Sequence, residues 1–136
     1  MKKLFSTSYS ATAFDIAIFI LRVSISSIMF HHGYTKIEHF SEMQEKFINF
    51  LGLGPTISLS LSIFAEVGCS ILLILGLMTR LAIIPNIINM IVALFVAHNF
   101  DIFGKGELAA VYLIVYISLI ILGPGGYSLD AMISKK

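Results

Sequence analysis

The sequence predicts an all-α integral membrane protein, a four-helix bundle with an interfacial amphipathic helix between its first and second spans. Three observations carry that prediction. Of the 136 residues, 57% are apolar and only 12% are charged, too few polar side chains to clothe a water-facing globule of this size. Apolar stretches recur at about 15–34, 57–77, 81–98 and 107–123, each near the ~20 residues that cross ~30 Å of hydrocarbon. Between the first two, Phe40, Met43, Phe47, Ile48, Phe50 and Leu51 recur at helical spacing among Glu42, Glu45 and Lys46, the pattern of a helix lying in the interface.

Each element follows from local signals. The length suits a single domain over 1–136. Lys2 and Lys3 resemble the start of a signal peptide, but the stretch from Leu4 to Ser10 is too short and polar for its apolar region, so the N-terminus is expected to be retained. The first span carries Arg22 and runs to His31-His32-Gly33. Gly52-Leu53-Gly54-Pro55 opens the second, which carries Glu66. A tight turn at Met78-Thr79-Arg80 leads into the third, where Pro85 sits in the first turns at little cost. Glu107 begins the fourth, and Gly123-Pro124-Gly125-Gly126 stops it. Lys2, Lys3, Arg80, Lys135 and Lys136 fall on one side, against Lys36, Lys46 and Lys105 mixed with acids on the other. The positive-inside rule therefore expects both termini in the cytoplasm and the long connection outside.

The near-neutral charge of +1 argues against nucleic acid as a partner. One cysteine, Cys69, excludes an intrachain disulfide and the ligand set of an Fe–S cluster. Arg22 and Glu66 are the sharpest anomaly, since a charge inside an apolar span costs several kcal/mol unless paired or hydrated. With the spans antiparallel and starting at a common level, the two lie close enough in depth to pair. Such a pair either fixes helix register or acts by gripping a polar head group or passing protons. On helical wheels, Arg22, Ser26, Met29, Gly33 and Lys36 share a face, as do Ser62, Glu66, Cys69 and Ser70, and Asn86, Asn89 and Ala93; these faces are expected to meet. His32 is assigned to the interior and His31 to the interface. His32, Lys36, His98 and Glu107 gather near the outer ends of the spans, where interfacial histidines beside lipid head groups are a better reading than a metal site, no paired-ligand spacing being present, and a pocket for a quinone or other polar head group fits equally well. An unbroken third helix would aim His98 away from Asn86. Tyr112 and Tyr116 lie opposite Glu107 and read as lipid or packing contacts.

The ordered set Leu21-Arg22, His32-Gly33-Tyr34-Thr35-Lys36, Ala65-Glu66-Val67-Gly68, Gly76-Leu77-Met78-Thr79-Arg80, Ala97-His98, Glu107-Leu108 and Gly123-Pro124-Gly125-Gly126-Tyr127-Ser128-Leu129-Asp130 resembles the DoxX family of bacterial membrane proteins over residues 15–131. The resemblance implies a four-helix bundle in the bacterial inner membrane and a link to redox physiology, with relatives in a thiosulfate:quinone oxidoreductase and in a membrane complex beside a superoxide dismutase. It marks Arg22, His32, Lys36, Glu66, Arg80, His98 and Glu107 as the matching polar set. Three functions stay open: a quinone-linked subunit of a redox complex, with Arg22, His32, Lys36, Glu66, His98 and Glu107 as the cofactor-binding set; a non-catalytic scaffold that recruits protein partners; and a small-solute permease. The lipid bilayer is a partner in all three, and self-association into a homo-oligomer is compatible with each.

Overall fold

The computed structural model describes residues 1–135. It is all-helical, with no strand among the described residues. Three helices, Ala11–Glu38, Pro55–Leu75 and Thr79–Ala97, are long and apolar enough to cross a membrane; a fourth, Glu107–Leu122, is apolar but shorter at 16 residues. These four are called the first to fourth helices below.

Each begins and ends where backbone chemistry allows. Ser10 caps the first helix, its hydroxyl accepting the Ala13 N–H at 3.0 Å. Pro55 occupies the opening turn of the second, where a missing N–H is harmless. Gly76 ends that helix in the left-handed region at φ 70°, so the tight turn falls at Gly76–Met78 rather than at Met78–Arg80. The third helix lacks a side-chain cap of its own. Asp130 supplies one from a short helix, Leu129–Ser134, by accepting the N–H groups of Met78 (2.7 Å) and Thr79 (2.8 Å). The fourth helix ends at Gly123, and Arg80 covers its last carbonyls by donating to Ile120 O at 3.1 Å.

The connection between the first two helices departs from expectation. Only Phe40–Met43 is helical in it. Leu51, Gly52 and Gly54 all adopt positive φ, and Asn49 Oδ1 accepts the Gly54 N–H at 2.8 Å. That geometry turns the chain and breaks any longer helix. The apolar residues still serve: Phe47, Ile48 and Phe50 fold over the second helix and line a cavity there.

The second and third helices each contain a π-helical segment, Phe64–Cys69 and Ala93–Ala97. A π turn holds an extra residue and re-aims the side chains that follow it. The core runs along the axis and includes Ile18, Met29, Leu73, Ile83, Tyr116 and Leu119.

Candidate functional site

The charged residues separate into two constellations at opposite ends. At one end Arg22, 1% exposed, sits among main-chain oxygens. Its Nε donates to Leu73 O (2.8 Å), one terminal nitrogen donates to Tyr127 O (2.8 Å), and the other to Pro124 O. The C-terminal segment is thereby wrapped around it. Asp15 Oδ1 accepts the Gly126 N–H (2.8 Å), and Asp130 N–H donates to Gly76 O (2.9 Å), closing the same knot. Gly76 is required there, because a Cβ would stand 2.9 Å from Ser128 Cα and 3.0 Å from Arg22 Cζ. Burial works to raise the Asp130 carboxyl, but the N–H bonds from Thr79 and Met78 and the nearby Arg22 charge outweigh it and hold it below the usual carboxylate range.

The expected Arg22–Glu66 pair does not form. The reason is register. The first helix has 28 residues and the second 21, and since Arg22 meets Leu73 while Lys36 meets Glu66, the first runs on past the Gly76 end of the second and the two do not start at a common level. The extra length carries Arg22 down to the Leu73–Gly76 end of the second helix and brings Lys36 level with Glu66.

At that other end the geometry is denser. Lys36 Nζ donates to Glu66 Oε1 at 2.7 Å and to Ser62 Oγ at 2.8 Å, and Asn89 Nδ2 donates to the same Oε1 at 2.9 Å. Glu66 is only 4% exposed, and its Oε2 is buried with no partner among the described residues. Gly33 makes the approach possible: a Cβ there would lie 2.6 Å from Val67 Cγ2 and 2.8 Å from Glu66 Cβ. The Phe47 ring lies 5.5 Å from Lys36 Nζ, within cation–π range.

Two cavities meet at this pair. The larger, about 390 Å³, runs between the second and third helices under the Phe47–Phe50 connection; its walls are mostly apolar, and Lys36, Ser62, Glu66, Asn89 and His98 give it a polar end. The smaller, about 190 Å³, is lined by His32, Lys36, Glu66, His98, Lys105 and Tyr112. Lys36, Glu66 and His98 thus form the wall between them. The His32 ring packs edge-on against Tyr112, centroids 6.0 Å apart.

Of the six candidate binding residues, the structure brings His32, Lys36, Glu66 and His98 together. Arg22 belongs to the opposite end. Glu107 is exposed and lines neither cavity. His32 is exposed at the cavity mouth rather than interior. His98 reaches the site because the third helix is not an unbroken α-helix: its π segment ends on His98. Tyr112 and Tyr116 are core residues, 3% and 0% exposed. Lys105 and Tyr112 are the lining residues that sequence reasoning missed. Tyr112 had a signal, in the spacing of Ala109, Tyr112, Tyr116 and Leu119 along one buried face. No group of His, Cys, Asp and Glu among the described residues is placed to hold a metal.

A second set of polar atoms lies deeper. Ser26, Ser70, Asn86 and Tyr116, one from each long helix, are fully buried, and their side-chain polar atoms have no hydrogen-bond partner among the described residues.

A family model described as DoxX matches residues 17–99. The chain belongs to the DoxX family. The matched region contains Arg22, His32, Lys36, Glu66, Asn89 and His98, hence both the anchor for the C-terminal knot and the polar end of the larger cavity. The fourth helix and the C-terminal segment of the knot, 124–135, lie beyond the DoxX match. No curated protein and no solved structure matches the chain.

Proposed function

We propose that this DoxX protein is the membrane subunit of a redox complex in the bacterial inner membrane and binds the head group of a quinone at Lys36, Glu66 and Asn89. One observation carries the reading: a largely apolar cavity of about 390 Å³ whose polar end is formed by the Lys36 ammonium, the Asn89 amide and the Glu66 carboxylate, whose second oxygen is buried beside it without a partner among the described residues. Such a pocket suits a flat, amphipathic ring with carbonyls at its edge. Lys36 and Asn89 are donors for those carbonyls, and the Glu66 carboxylate is placed to accept a proton from a ring hydroxyl. When bound, the quinone supplies two-electron, two-proton redox chemistry. The chain's own part is to orient the ring, neutralise charge beside it and exclude water. With one cysteine in the chain, the electrons come from a partner protein.

In this reading all four long helices cross the bilayer as one membrane domain. The fourth rises about 24 Å, carries its only charge at Glu107 on its first turn and packs along the third. Lys2, Lys3, Arg80 and Lys135 then face the cytoplasm with both termini, and the quinone site lies in the outer half.

The test is lipid extraction and mass spectrometry on protein purified in mild detergent. Wild type is expected to carry quinone in stoichiometric amount, and the paired Lys36→Met/Glu66→Leu variant, which strands no charge, to lose it. Folded wild type that carries no quinone and takes up none on addition overturns the proposal and favours a scaffold.

A further inference from the structure

The larger cavity does not stand alone. Phe64 and Pro85 line it and also line a second hollow, about 300 Å³, between the same two helices. That hollow extends toward the Gly76–Met78 turn and is walled by Cys69, Leu72, Leu81 and Ala82, with no charged side chain. Its origin is physical. Cys69 and Ala82 are small and buried, the π segment at Phe64–Cys69 widens the second helix, and Pro85 gives no N–H to the turn before it. The two helices therefore leave a seam where closer packing would otherwise fill the space.

The two hollows adjoin at Phe64 and Pro85, which stand between them, and taken end to end they are polar at one end and dry along the rest. From Asn89 to Leu81 the third helix rises about 12 Å, so the dry part is long compared with any ring. The geometry points to a tail site: the seam from Phe64 and Pro85 down to Leu81 holds the hydrocarbon tail of an amphiphile whose head group rests on Lys36, Glu66 and Asn89. This inference builds on the head-group site proposed above and narrows its ligand to long-tailed membrane quinones rather than soluble tail-less rings.

The probes are menadione, which has no tail, and its tetraprenyl homologue, compared in nanodiscs at equal mole fraction. The variants are Leu81→Trp and Ile84→Trp, which add bulk to the seam from its rim. Both positions are exposed on the membrane-facing side, 58% and 43%, so folding is retained, and the chain has no tryptophan of its own, so fluorescence reports the fold of each variant. Wild type is expected to hold the tetraprenyl homologue at least about tenfold more tightly than menadione, since the walls of the seam add packing contacts along the tail that a tail-less ring cannot make. The seam variants are expected to erase that preference and leave menadione binding unchanged. Equal affinity for both probes in wild type, or a preference that survives in both folded variants, overturns the tail site while leaving the head-group site standing; bulk lipid chains then fill the seam. Binding of neither probe to wild type overturns the head-group site and the tail site with it.

Discussion

Lys36 Nζ donates to Glu66 Oε1 across 2.7 Å, and the acceptor carboxylate keeps its second oxygen buried and free. A buried carboxylate held on one side only is costly, and the lysine is what makes it tolerable. Lys36 is 21% exposed, so solvent screens part of the pair's attraction and the cost of breaking it is below that of a fully buried pair.

Removing one partner is therefore expected to cost more than removing both. Lys36→Met strands Glu66 and should lower stability by about 2–3 kcal/mol, and Lys36→Met/Glu66→Leu should recover most of it. Thermal unfolding in detergent reads the difference. A double variant that melts below both singles would show that the pair is not the energetic unit.

Arg22 is coupled to carbonyls, not to Glu66. Arg22→Leu leaves the oxygens of Leu73, Pro124 and Tyr127 without their donor and should cost about 3 kcal/mol. Limited proteolysis should then cut the 124–135 segment first. Adding Glu66→Leu should give additive losses, because the two residues share no partner. Rescue of one by the other would contradict the geometry.

Asp130 caps the third helix from outside it. Its carboxyl titrates below the usual range in the folded protein, so its stabilisation is fully present above the ordinary carboxylate pKa and is lost as pH falls through the lowered folded value. The melting temperature of wild type should exceed that of Asp130→Asn at neutral pH, and the gap should close under acid. A gap independent of pH would remove the charge from the explanation.

Gly33 sets the spacing of the first two helices. Gly33→Ala places a methyl 2.6 Å from Val67 Cγ2 and 2.8 Å from Glu66 Cβ, which forces a shift worth about 1–3 kcal/mol. The same shift should separate Lys36 from Glu66, so quinone retention should fall together with stability.

Tyr116 is fully buried with an unpartnered hydroxyl. Deleting that hydroxyl removes a desolvated polar atom and leaves the ring, so Tyr116→Phe should raise stability by up to about 1 kcal/mol. A loss of similar size would show that an internal water serves the hydroxyl.

Much of the fold was legible. Arg22, Glu66 and the glycines stood out against an apolar background, and the four helices fall within a few residues of their expected bounds, except at the ends of the first. The faces of Ser62–Glu66 and Asn89 were also readable from spacing alone. Pairing was not. It depends on how far helices slide past one another, and nothing in a uniformly apolar span marks its level. The inward face of the fourth helix was marked only by the spacing of Ala109, Tyr112, Tyr116 and Leu119, a weak signal on a helix with little polar contrast between its faces. His98 depended on a π segment that no local residue pattern announces.

That segment and its partner in the second helix have a consequence for how the family can vary. A π turn is an α-helix with one residue too many. The widened turn at Phe64–Cys69 can give up that residue and keep its flanks in register, whereas deleting a single residue from the plain α-helix that follows at Ser70–Leu75 would rotate the Ser58–Ser62 half by about 100° against the Gly76 end. Ser62 would swing off Lys36 although no side chain at the site had changed. Chain length, counted to the single residue, is thus as much a determinant of this site as its chemistry.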